Sequence, residues 1–80
     1  MARVVWPQTL LDLLLELSER ERELILDKVD RLRQFPRMYP VRAQGRFRRH
    51  RWFFAANWLV YYRVVEQTVY IRGLWPARIP

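Results

Sequence analysis

Three runs rich in β-branched and aromatic residues close this sequence, RRHRWFFA, WLVYYRVV and TVYIRGLW, and only two residues, Ala56-Asn57 and then Glu66-Gln67, separate each from the next. A two-residue link is too short for a crossover, so consecutive runs are predicted to be antiparallel neighbours. In the middle run Trp58, Val60, Tyr62 and Val64 share one face, and Leu59, Tyr61, Arg63 and Val65 share the other. The first set is the one predicted to meet a core. Strict alternation in the last run groups Val69, Ile71, Gly73 and Trp75 against Thr68, Tyr70, Arg72 and Leu74. That brings Tyr61, Arg63, Tyr70 and Arg72 together on a more polar face.

The residues ahead of these runs read as one strand and two helices. ARVVW, residues 2 to 6, has strand composition, and Pro7 stops it while being pre-set for the first turn of a helix. Leucines at 10, 11, 13, 14, 15 and 17 are too dense for one narrow stripe, which implies a helix buried against more than one element. Ser18 followed by Glu21 has the spacing of a capping box and announces a second helix. Its apolar positions are Leu24, Ile25, Val29, Leu32 and Phe35, and Glu19, Glu21 and Glu23 sit where the helix dipole favours negative charge. The helical hairpin is predicted over residues 8 to 35, ended by Pro36, because the residue before a proline is pushed out of the α region. Pro36, Pro40 and Gly45 mark residues 36 to 45 as a connection. The expected fold is α+β in a single domain over residues 1–80: an N-terminal strand, a helical hairpin, then a three-stranded antiparallel meander.

At 80 residues such a domain buries only about 60% of the surface of its unfolded chain, so a partner that binds the folded form would stabilise it. With no cysteine and a single histidine, His50, disulfides, thiolate metal sites and multi-histidine metal centres are excluded within one chain, and no cofactor is implied. Neither a leader peptide nor a membrane span is read from the sequence, and the cytoplasm is the expected compartment.

The net charge of +7 is unevenly spread. Residues 1 to 36 carry six basic and seven acidic side chains, a balance of −1, whereas residues 37 to 80 carry nine arginines and only Glu66, a balance of +8. Six of those arginines fall within residues 37 to 51, where they repel one another, so a counter-charge is expected from a polyanion or an acidic protein. The aromatic residues that follow them invite base stacking, but at strand alternation most belong to a core. Trp52 or Phe53, Phe54, Trp58 and Tyr62 are assigned to it, with Tyr61 and Tyr70 as the exposed rings.

VVWPQTLLDLLLEL, the helix ending LRQFP, GRFRRHRW, WLVYYRVVEQTVYI and the arginine of LWPARIP together resemble the RelE/ParE superfamily of bacterial toxins, often called plasmid stabilisation proteins. The resemblance covers nearly the whole chain, and the aromatic-Leu-Val-Tyr-Tyr-Arg-Val string is its strongest part. It implies a twisted sheet with a target-binding face and an acidic antitoxin whose C-terminal segment wraps the toxin, as a heterotetramer or beside a homodimer. RelE-like members cut mRNA in the ribosomal A site, and ParE-like members poison DNA gyrase. For the nuclease, the resemblance nominates Arg48, Arg49, His50, Arg51 and Arg78. For a target-binding face the candidates are Arg46, Tyr61, Arg63, Tyr70 and Arg72. The leucine surplus, represented by Leu11, Leu14 and Leu15, suggests a groove for an antitoxin helix or a homodimer contact.

Position 59 departs from the RNA-cutting pattern. Members that cut RNA place an arginine directly after the aromatic residue that opens the third strand, and here Leu59 stands there. A leucine can neither donate to a phosphate nor carry charge. This favours a ParE-like toxin that acts by binding, with the ribosome-dependent nuclease and a non-toxic nucleic-acid-binding module as the alternatives. Salt separates the last from an acidic protein partner: each neutralised duplex phosphate adds about 0.9 to the logarithmic slope of affinity, whereas with an acidic protein salt chiefly slows association.

Overall fold

The computed structural model describes residues 1–77. Its elements follow the expected order: β1 (Arg3–Val5), α1 (Gln8–Glu16), α2 (Glu19–Arg31), β2 (Arg51–Ala55), β3 (Trp58–Val65) and β4 (Thr68–Pro76). They form an α+β domain with one four-stranded sheet, ordered β1-β4-β3-β2. The last three strands make the antiparallel meander, and β1 lies parallel to β4, Val4 opposite Val69. No helix among the described residues is long and apolar enough to cross a membrane.

Local chemistry sets the helix ends. Pro7 is extended at the start of α1 and its carbonyl accepts from the amides of Leu10 and Leu11. Leu17 returns to extended geometry, and the capping box then starts α2: the Glu21 amide donates to Ser18 Oγ at 3.2 Å and the Ser18 amide to Glu21 Oε1 at 3.2 Å. Arg22 clasps the end of α1 by donating to the Leu17 carbonyl at 3.0 Å. The second helix is shorter than its periodicity predicts. It stops at Arg31, and residues 32 to 35 follow as tight turns, with Gln34 and Phe35 donating to the Arg31 carbonyl. Leu32 still reaches the core, whereas Phe35 is 61% exposed because Pro36 bars one more helical turn.

The core lies between the helices and one face of the sheet. Leu14, Ile25, Val29 and Leu32 meet Phe53, Val60, Tyr62, Val69, Ile71 and Leu74 there, and Trp58 and Val64 pack at its margin. The face of β3 predicted to meet the helices does so. In β4 the alternation breaks: Tyr62 faces Ile71, Tyr61 faces Gly73, and Arg72 between them is a bulge. A bulge adds one residue to one strand and reverses every face beyond it. Leu74 therefore enters the core, and Gly73 and Trp75 move to the outer face, opposite to the grouping that strict alternation gives. Phe54, expected in the core, is 50% exposed on that outer face, because the core-facing positions of β2 are Arg51, Phe53 and Ala55.

The first turn of the meander matches its sequence reading. Ala56 and Asn57 have φ of 52° and 63°, the left-handed pair that a two-residue hairpin needs to follow strand twist.

Candidate functional site

The arginine-rich stretch folds mostly as a loop. Residues 48 to 50, expected to begin the second strand, lie outside β2, which starts at Arg51. Residues 42 to 50 close on themselves: the Arg42 amide donates to the His50 carbonyl at 2.8 Å and the Arg49 amide to the Arg42 carbonyl at 2.9 Å. Two left-handed residues make the closure, Gly45 at φ 90° and Arg49 at φ 71°. Glycine is at ease there, whereas Arg49 bears a strain of about 1–2 kcal/mol.

One ring anchors this flap on the outer face of the sheet. Phe47 stacks on Tyr61 with centroids 4.1 Å apart and planes 10° apart, and meets Trp75 edge-on at 6.4 Å. Gly73 provides the seat, since a Cβ there would stand 3.3 Å from Phe47 Cζ and 2.9 Å from Trp75 Nε1. Tyr61 is consequently 5% exposed, not the open ring that the alternation predicted. Arg42 lies over the Tyr61 ring and Arg46 over Phe47, each 5.9 Å from the centroid.

Around this anchor the face is cationic and partly aromatic. Arg42, Arg46, Arg48 and Arg49 of the flap are exposed, as are Arg63 on β3 and Arg72 in the bulge. Arg63 stands opposite Tyr70, which is also exposed, so this part of the predicted face is assembled. The salt bridges among the described residues, Arg31 with Asp27 and Arg33 with Asp30, belong to α2 and the turn after it. The flap arginines thus have no carboxylate partner among the described residues, and their charge is available to a ligand.

Arg51 differs from its neighbours. It faces the helices opposite Tyr62, and its Nη1 donates to the carbonyls of Tyr39 at 2.7 Å and Arg37 at 3.1 Å. Tyr62 assists by donating from its hydroxyl to the Pro36 carbonyl at 2.8 Å, and Tyr39 stacks on Phe53 at 4.7 Å. Burial pushes the Tyr62 phenol up to about 12. These contacts fasten the connection after α2 to the core, so Arg51 is a structural arginine here, withdrawn from the exposed set.

His50 is half-buried. Its Nδ1 lies 3.2 Å from the Arg48 carbonyl, its ring meets Phe47 edge-on at 5.4 Å, and its Nε2 is buried without a partner. A proton-transfer group needs a path to its substrate; the buried Nε2 has none in this arrangement, and Nδ1 is turned to the Arg48 carbonyl. Leu59 is paired between Phe54 and Trp75 on the outer face, an apolar patch where a phosphate-cleaving centre would need a donor. Arg78 lies outside the described residues.

The predicted leucine surface is divided. Leu14 is 2% exposed in the core and unavailable to a partner, Leu11 is half-buried, and Leu15 is 60% exposed. A continuous groove through these three is therefore absent. Glu21 has a further role that its capping position did not reveal: it accepts from the Trp58 indole N–H at 2.8 Å, which, with the Ser18 contacts, holds its carboxyl below the usual range.

Sequence reasoning missed Phe47, Gly73 and Trp75. A glycine inside a strand pattern signals a bulge or a close approach, and Gly73 adjoins the first and makes the second. No family model, no curated protein and no solved structure matches the chain.

Proposed function

We propose that this chain is the toxin of a bacterial toxin–antitoxin pair of the RelE/ParE type, that it is ParE-like in arresting growth by binding an essential target of the DNA gyrase class, and that an acidic antitoxin neutralises it. The order of elements supports the architectural part: strand, helical hairpin and antiparallel meander agree with what the resemblance leads one to expect.

The observation that carries the choice of binding over chemistry is the state of the residues nominated for cleavage. Arg51 is engaged by two carbonyls, His50 at the end of the flap has its Nε2 buried, and Leu59 sits in an apolar patch between Phe54 and Trp75. Arg48 and Arg49 remain exposed, but cations alone supply charge stabilisation without the proton transfers of RNA cleavage. A cationic face with exposed rings suits a macromolecular partner of opposite charge.

Expression of the chain without its partner tests the reading. Growth arrest with a DNA-damage response is the expected result, and His50→Ala should leave the arrest intact. Translation arrest with mRNA cut in the A site would assign the protein to the nuclease branch. Unimpaired growth at verified expression would remove both toxin readings and leave a basic nucleic-acid-binding module.

A further inference from the structure

Strand β2 is an outer strand of the sheet, and its free edge is used only in part. The chain's own segment 40–42 runs antiparallel to its beginning: Val41 bridges Arg51, and the Trp52 amide donates to the Pro40 carbonyl at 3.2 Å. The pairing goes no further. Met38, which would come next along the edge, has turned away, and its amide donates to the Phe35 carbonyl. Beyond Trp52 the edge is held by a side chain: Lys28 Nζ donates to the Phe54 carbonyl at 2.7 Å. Lys28 is the only lysine of the sequence.

The amide of Phe54 points the same way as its carbonyl. Ala55 and Trp58 face one another across the two-residue turn, so hydrogen-bonded pairs toward β3 fall on residues 55, 53 and 51, and the polar groups of residues 54 and 52 point outward. The Phe54 amide finds no acceptor among the described residues. Beside this edge, between α2 and β2, runs a groove of about 660 Å³. Its apolar walls include Leu24 and Phe54, 44% and 50% exposed; Asp27, Lys28 and Arg31 also lie on it, and because Arg31 is paired with Asp27, Lys28 is the cation left for a partner's carboxylate.

We propose that this edge and groove receive a short extended segment of an acidic protein, which adds a strand beside Phe54 and offers a carboxylate to Lys28. The exchange leaves every polar group paired. The partner's amide replaces the ammonium on the Phe54 carbonyl, a partner carbonyl accepts from the Phe54 amide, and the released ammonium takes the carboxylate. In the free chain the lysine blunts an edge that would otherwise pair with any extended chain, a common use of edge lysines. Only a segment carrying a negative charge at the right place compensates for displacing it, which makes the lysine a selectivity device as well as a guard. About three residues fit between the hairpin turn and Pro40.

The inference rests on the toxin–antitoxin reading for the identity of the acidic protein, and puts its contact on β2 and α2, away from Leu11, Leu14 and Leu15. The test is amide hydrogen exchange on the full chain, alone and with the acidic protein encoded beside it. Exchange at Phe54 is expected to slow at least tenfold in the complex. Phe54→Pro, which removes the outward amide, should weaken association at least tenfold more than Phe54→Ala, which removes only the ring, and Lys28→Glu should weaken it as strongly. A complex that forms while Phe54 still exchanges rapidly overturns the inference and leaves the toxin–antitoxin reading standing. Failure of the two proteins to associate overturns both. Protection of Phe54 that grows with the concentration of the chain alone gives the edge to a second copy and also overturns the inference. Because the exchange measurement uses the unaltered chain, it decides the matter even if the proline variant does not fold.

Discussion

Replacing Arg51 by methionine separates the structural arginine from those left for a partner. The guanidinium makes two charge-assisted hydrogen bonds through one nitrogen, to Tyr39 O at 2.7 Å and Arg37 O at 3.1 Å. Such bonds are worth about 1.5–3 kcal/mol each, and losing the donor leaves the partly buried Tyr39 carbonyl unpaired, whereas the Arg37 carbonyl is exposed. Counting the shorter bond in full and the longer at about half, Arg51→Met should cost roughly 2–4 kcal/mol. A domain of this length holds roughly 4–12 kcal/mol in all, so the loss is a large share of its stability. At about 4–8 °C per kcal/mol, the melting midpoint should fall by roughly 8–32 °C. Arg48→Ala and Arg49→Ala serve as references, because both side chains are exposed and should stay within about 0.5 kcal/mol of the parent. Urea titration followed by tryptophan fluorescence measures all three, and an unchanged slope certifies that the shift is one of stability. Arg51→Lys should fall between, since an ammonium lacks the planar fork. If Arg51→Met melts with the two references, the guanidinium does not hold the connection and Arg51 returns to the exposed, partner-facing set.

Three further outcomes follow from named contacts. Gly73→Ala drives a Cβ into Phe47 and Trp75 and should cost about 1–3 kcal/mol, with altered Trp75 fluorescence; in a cycle with Phe47→Ala the two should be clearly non-additive, and simple additivity would mean that Phe47 is not seated on Gly73. The raised phenol of Tyr62 means the fold favours its neutral form, so that stability is fully present below about pH 10 and is lost as pH climbs toward about 12. Tyr62→Phe should be less stable than the parent at neutral pH, by about 0.5–1.5 kcal/mol for the lost bond to Pro36, yet should lack this alkaline decline; parallel pH profiles for the two would refute the assignment. Ala56→Asn with Asn57→Gly installs the preferred residues for two consecutive positive φ angles and should stabilise by about 1 kcal/mol, read as a higher melting midpoint.

The departures from the sequence reading share one origin. Strict alternation gave the right core face for β3 and for β4 as far as Ile71, and then failed at Arg72, since no residue type announces an extra residue whose place depends on how two strands meet. The burial of Tyr61 has a similar origin: it depends on Phe47, fourteen positions earlier in the chain, arriving on top of it. The faces of Phe54 and Trp75 are set by the pairing of β2 with β3 and by the bulge in β4, neither of which the residues themselves announce. Among the candidate site residues, Arg46, Arg48, Arg49, Arg63, Tyr70 and Arg72 are exposed as a binding role requires, and Arg51, Tyr61 and Leu14 are not.

What the sequence determined by itself is local in range. Two-residue links forced the meander, the Ser18–Glu21 spacing started α2, Pro7 and Pro36 bounded the helical region, and the charge split placed the excess positive charge beyond residue 36. Each is decided by a few neighbouring residues through sterics or short hydrogen bonds. Tertiary structure decided which arginine is fastened and which are left without a carboxylate, where Phe47 docks, and that Lys28 guards the edge of a strand 26 residues away. Those outcomes depend on which backbone carbonyls and ring faces remain unpaired once the sheet has closed, a property of the assembled fold that no local pattern of residues encodes.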